Sequence, residues 1–131
     1  MSRVPLPVND QNKTYLPGSP ERAELKARLA QMAGERIDIP LVIGGCDIRT
    51  SQTEQAVMPH NHRHVLADWH GAEAAHVQQA IEAALRARRE WASWPLEDRA
   101  SVFLKAAELL TTTWRSILNA ATMLGQSKTA I

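Results

Sequence analysis

GAEAAHVQQAIEAALRARREWASWPLEDRASVFLKAAELLTTTWRSILNAATMLGQSKT, running from Gly71 to Thr129, decides the fold class. Val77, Ala80, Ile81, Ala84, Leu85 and Trp91 fall at i, i+3, i+4, i+7, i+8 and i+14, one apolar face of a 3.6-residue helix. Pro95 restarts the chain, because proline fits the first turn of a helix but not its interior. Leu96, Ala100, Phe103, Ala107 and Leu110 form a second apolar face, with Arg99, Lys105 and Glu108 left for water. Thr111-Thr112-Thr113 is a β-branched run, poor in a helix, and predicts a break. Trp114, Ile117, Leu118 and Ala121 resume the period, and Gly125 is the expected C-cap.

Upstream the pattern changes. Residues 1–18 are rich in proline, asparagine and glycine without an apolar period, and read as an extended arm laid on a surface or as disorder. Ser19 can cap a helix that has Pro20 at its first position and Glu21 in its first turn. Leu25, Leu29 and Met32 mark one narrow face, and Gly34 stops it. From Ile37 the period is that of strands. Ile39-Pro-Leu-Val-Ile, Gly44-Gly45 and Cys46-Asp-Ile-Arg predict a β-hairpin, since a Gly-Gly pair allows positive φ at both turn positions. Thr50 to Glu54 reads as a polar loop, Gln55-Ala-Val-Met as a short strand ended by Pro59, and His64 to Trp69 as the last strand. The expected fold is therefore α+β and mainly helical. An arm and helix occupy 1–36, short strands 37–70, and two to three amphipathic helices 71–131. Strands this few and short need partners to cover two faces.

Composition narrows the function classes. A chain of 131 residues is expected to form one ordinary domain around one core, and its 44% apolar and 22% charged residues are those of a globular protein. Fifteen basic against fourteen acidic residues give no broad pull toward nucleic acid or a membrane surface. A lone cysteine makes no internal disulfide and suits a reducing compartment. The N-terminal sequence lacks the apolar core of a signal peptide, and no run approaches the ~20 apolar residues of a membrane helix. The expected location is the cytoplasm.

Five sets of residues invite a chemical reading. His60, His62 and His64 alternate, so on one strand all three would share a face, with His70 and His76 nearby. Three imidazoles and a water are a known zinc set, but structural zinc sites usually bring cysteine, and alternation is also what a solvated strand edge shows. Cys46 follows a turn and sits beside Asp47, where nothing lowers a thiol pKa, so it is expected to be structural. Gly125-Gln-Ser-Lys-Thr resembles the end of a phosphate loop, but Ser127 replaces the glycine, Ala120 stands where the first glycine belongs, and a helix precedes it. Arg86, Arg88 and Arg89 read as the solvated side of their helix, with Glu82 placed to pair with Arg86. Trp91, Trp94 and Trp114 lie on or beside the apolar stripes and are expected to pack; Trp69 is open to either reading. No catalytic, cofactor-binding or metal residue is assigned.

The order Ala-Ile-Glu-Ala-Ala, Trp, Pro-Leu-Glu-Asp-Arg-Ala, Leu-Lys-Ala-Ala-Glu-Leu-Leu and Gly-Gln-Ser-Lys-Thr within this stretch resembles the amino-terminal helices of the aldehyde dehydrogenase superfamily. Tyr15-Leu-Pro-Gly-Ser-Pro-Glu-Arg, Ile39-Pro-Leu-Val-Ile-Gly-Gly, Pro59-His-Asn-His-Arg-His-Val and Ala121-Thr-Met-Leu-Gly-Gln-Ser-Lys-Thr resemble its 1-pyrroline-5-carboxylate dehydrogenase subfamily. The resemblance implies a chain that is the amino-terminal portion of an enzyme oxidising L-glutamate γ-semialdehyde to glutamate with NAD. It also implies that the cysteine nucleophile, the glutamate that activates water and the nucleotide-binding sheet belong to sequence after Ile131. The expected role of these residues is then structural, the expected partners are the remainder of the same enzyme and further copies of it, and neither nucleic acid nor membrane is expected. Two alternatives of other classes remain at this point: a self-standing helical binding module, and a histidine-dependent metal binder.

Overall fold

The elements of the computed structural model follow one another as α1 (Pro20–Ala33), β1 (Ile37–Ile39), β2 (Leu41–Ile43), β3 (Cys46–Ile48), β4 (Thr53–Met58), β5 (Asn61–His70), α2 (Ala74–Ser93), α3 (Leu96–Thr111) and α4 (Arg115–Gln126). The structure describes residue 6 and residues 8–130; what was expected of the other arm positions and of Ile131 lies outside the described residues. Contacts gather the chain into two units, Met1–Glu35 with Pro95–Ile131, and Arg36–Trp94. The three consecutive stretches of the sequence order are a different division, since α2 joins the strands rather than the later helices. The buried apolar residues are Leu25, Ala120 and Leu124 in the first unit and Met58 and Ala67 in the second.

In the first unit, Ser19 caps α1 as expected, its Oγ accepting from the Arg22 N–H at 3.4 Å, and Pro20 opens the helix. Gly34 closes it with φ of −85°, an ordinary helical value, so no left-handed cap is used. Leu25 turns inward against α4, where Ser116, Ala120 and Leu124 are buried at i, i+4 and i+8. Ala120 is 0% exposed, so its methyl group lets the helices approach closely. The described part of the arm lies along this unit. The Arg115 guanidinium pairs with the Asp10 carboxylate and reaches the Gln11 carbonyl at 3.3 Å, and Asn119 Nδ2 donates to Tyr15 Oη at 2.9 Å.

The threonine run ends α3 for a visible reason. The Glu108 carbonyl accepts from Thr111 Oγ1 at 3.1 Å, Thr112 Oγ1 at 2.6 Å and the Thr112 N–H at 3.1 Å. Side chains that bond the backbone this way compete with continuation of the helix. Pro95 precedes α3 as its N-cap instead of lying within the first turn. The end of α4 also differs from expectation. Gly125 remains helical, and Ser127 takes the left-handed conformation, φ 53°. Glycine is favoured there but not required, because a single left-handed residue costs only about 1–2 kcal/mol.

In the second unit, β2 and β3 form the expected antiparallel hairpin, with Gly44 at φ 60° and Gly45 at φ 83°. Two positive φ values define the turn whose twist matches the strands. Ile39 does not belong to it: Pro40, without a donor, separates β1 from β2, and β1 instead pairs parallel with β5. β4 starts at Thr53 inside the expected loop, and β5 starts at Asn61 rather than His64; the two pair as a hairpin around Pro59 and His60. The sheet order is β1-β5-β4. Its register places Ile37, Ala67, Ile39 and Trp69 on one face and Asp38 and Asp68 on the other.

Helix α2 meets β2 through its small side, and a Cβ built on Gly44 would lie 3.6 Å from Ala83 Cβ. Ala83 stands about 120–160° around the helix from Val77, Ile81 and Leu85 at ~100° per residue. The apolar stripe that predicted the helix thus points elsewhere, and α2 buries no residue. Helix α3 buries none either, leaving Phe103 68% exposed.

Candidate functional site

The five histidines separate. His60 lies in the β4–β5 turn, His62 and His64 fall where the register of β5 with β4 is irregular, His70 ends that strand, and His76 sits in the first turn of α2. The one-strand alternation expected of His60, His62 and His64 is therefore corrected: His60 is outside β5, and the other two sit at its irregular start. The ring of His76 accepts from the Glu73 N–H through Nδ1 at 3.1 Å, which makes it a capping residue. Among the described residues no group of three or more His, Cys, Asp or Glu is placed to hold a metal ion.

The other sequence candidates behave as packing or surface. Cys46 is exposed at the start of β3. Gly125 to Thr129 forms the last turn of α4 and the residues after it; with a helix before it, this segment lacks the strand-to-helix turn that cradles phosphate. Arg86, Arg88 and Arg89 are exposed on α2, while Glu82 accepts from Gln78 Nε2 at 3.1 Å rather than from Arg86. Trp91 and Trp94 contact each other with ring centroids 5.4 Å apart, yet both remain more than a third exposed, as do Trp69 and Trp114. Among the described residues, the packing expected of the tryptophans is seen between Trp91 and Trp94. An open depression of about 500 Å³ in the first unit is lined by Tyr15, Arg22, Leu25, Lys26, Leu29, Met123, Thr129 and Ala130. It has a basic rim, but neither a thiol, an imidazole nor a carboxylate to do acid–base or nucleophilic work.

The closest approach to a chemical constellation is one the sequence reading missed. His70 Nε2 lies 3.0 Å from Asp38 Oδ1, and Arg49 Nε donates to Asp38 Oδ2 at 2.7 Å. On its other side, His70 Nδ1 is 2.8 Å from the Thr50 N and 2.9 Å from the Thr50 O. The side chain of His70 is only 9% exposed. Beside it, Arg36 grips Asp68 through Nε and Nη2 at 2.5 and 2.6 Å. Asp38 and Asp68 face each other in the parallel register, a repulsive arrangement unless each has its own cation. Both carboxyls are held below the usual carboxylate range. For Asp38 the chief cause is the His70 hydrogen bond, then that of Arg49; for Asp68 it is the Arg36 hydrogen bond. An imidazole against a carboxylate is the orienting half of many acid–base sites. Here both ring nitrogens already have protein partners, so the arrangement ties strands together. Sequence offers no signal for it, because its members lie 20 and 32 positions apart.

Residues 48–130 match the aldehyde dehydrogenase family, and the chain belongs to that family. It is 41% identical over 98% of its length to the mitochondrial delta-1-pyrroline-5-carboxylate dehydrogenase of Dictyostelium discoideum, and 45% identical over 98% to that of Emericella nidulans. The delta-pyrroline-5-carboxylate dehydrogenase of Mycobacterium tuberculosis, solved bound with NAD, superposes with a TM-score of 0.95 over 99% of the chain at 43% identity. The chain spans 22–24% of the length of these proteins. No helix among the described residues is long and apolar enough to cross a membrane.

Proposed function

We propose that this chain is the amino-terminal structural portion of an NAD-dependent dehydrogenase that oxidises L-glutamate γ-semialdehyde, the open form of 1-pyrroline-5-carboxylate, to glutamate in proline degradation. The observation that carries the reading is the likeness to the Mycobacterium tuberculosis enzyme over nearly the whole chain. The exposed stripes support it: Val77, Ile81 and Leu85 on α2 and Leu96 and Leu110 on α3 are what a helix shows when its packing partner lies in another segment. Arg99 Nε on α3, buried without a hydrogen-bond partner, points the same way, since such groups are normally satisfied.

On this reading the partners are the remainder of the same enzyme and further copies of it, with no role for nucleic acid or membrane. NAD belongs to the whole enzyme and not to these residues, and the reaction needs a thiolate, a water-activating carboxylate and a nucleotide site that the remainder supplies. The test is NADH formation from the semialdehyde by the 131-residue chain and by the same chain joined to the catalytic part. Turnover is expected only from the joined protein; NADH produced by the 131 residues alone would overturn the proposal. A cytoplasmic location is part of the same reading. Recovery of the protein in the mitochondrial fraction of its source cells, the compartment in the names of the slime-mould and fungal relatives, would overturn that part.

A further inference from the structure

We propose that His70 is a proton-operated latch, which exchanges its hydrogen bond to Thr50 when its ring gains a proton while keeping its bond to Asp38. One ring nitrogen, Nδ1, lies 2.8 Å from a donor, the Thr50 N–H, and 2.9 Å from an acceptor, the Thr50 carbonyl oxygen. A single nitrogen cannot serve both at once. In the neutral ring Nδ1 accepts from the Thr50 N–H, which leaves Nε2–H to donate to Asp38 Oδ1 at 3.0 Å. In the charged ring Nδ1 carries a proton and donates to the Thr50 carbonyl; the Thr50 N–H then loses its acceptor. Histidine is the side chain whose charge changes between pH 5 and 8.

The charged groups around the ring allow both states. From β1 and its approach come Asp38 and Arg36, from the end of β3 Arg49, and from β5 Asp68. After β5, Glu73 and His76 are engaged with each other at the start of α2. Two carboxylates thus balance two guanidiniums, and the Asp38 carboxylate is the group in direct contact with the ring. The latch sits where four parts of the strand unit converge. Thr50 Oγ1 also lies 3.0 Å from the Gly71 carbonyl oxygen and 3.2 Å from the Gln52 carbonyl oxygen, either of which can accept its one proton, and the Gly71 N–H donates to the Gln52 carbonyl at 2.7 Å. A change at Thr50 therefore reaches the start of β4 and the chain that leads into α2, whereas the β1 contact is preserved.

Hydrogen–deuterium exchange of the intact protein, resolved to the Thr50 amide and corrected for intrinsic pH dependence, tests this. Protection of that amide should fall about tenfold between pH 8 and pH 5, the effect of losing one hydrogen bond of roughly 1.4 kcal/mol. Amides of the β2–β3 hairpin, away from the ring, should show no such change. Protection of Thr50 that stays level across this range in the unmodified protein would overturn the proposal. So would a transition that persists in His70→Gln. The unmodified protein alone suffices if a variant does not fold.

Discussion

Helices α4 and α3 are neighbours in sequence with similar apolar content, and they end in opposite states. α4 buries Ser116, Ala120 and Leu124 and receives the arm on Arg115 and Asn119, while α3 buries nothing. The difference lies in the residues presented. α4 buries the small Ala120 completely and packs on α1, which buries Leu25. α3 keeps Leu104 and Leu110 exposed at 40% and 52%. Amphipathicity thus tells that a helix will dock, but only complementarity tells where.

The largest effect expected from this contrast separates Leu124 from Phe103. Leu124→Ala should cost about 2–5 kcal/mol in urea unfolding of the 131-residue chain, whereas Phe103→Ser should change it by no more than about 0.5 kcal/mol. Equal costs would break the comparison, because they would mean that the α3 face is covered in solution. Smaller effects come from the backbone. Gly45→Ala has open space for its methyl group but must hold φ at 83°, so it should destabilise the strand unit by about 1–2 kcal/mol. Ser127→Gly, at φ 53°, should stabilise by about 1 kcal/mol. Thermal melts of both variants check the opposite signs.

The smallest effect belongs to the exposed ion pairs of the strand unit. Asp38 and Asp68 have folded pKa values below their unfolded ones. Their contribution is therefore full above the unfolded carboxylate value of about 3.9 and is lost as pH falls through the lower folded values. Circular dichroism from pH 6 to pH 2 should show an acid transition that Asp68→Asn makes shallower. An unchanged curve would show that the Arg36–Asp68 pair adds nothing.

Much of the fold was legible, and the misreadings share a cause. The α1 cap at Ser19, the glycine turn at 44–45, the strand stop at Pro59 and the threonine break are local, set by residues within a few positions of one another. The parallel pairing of β1 with β5 is not local: three short residues gain strand character only from a partner 30 positions away. The His70 junction was invisible for the same reason. The family resemblance was legible from short motifs, and no catalytic residue was assigned because neither the Gly125–Thr129 spacing nor the surroundings of Cys46 fit a catalytic pattern.

Sequence by itself determined the helices, their order, the hairpin turn and the family, because backbone preference and apolar period act within one or two turns of chain. Tertiary structure decided which faces are buried. It paired Asp38 with His70, placed α2 on the hairpin through Ala83 instead of through its apolar stripe, and moved the end of α4 from Gly125 to Ser127. Each of these depends on which surfaces meet in space, and a one-dimensional pattern records that a surface is apolar without recording what will cover it.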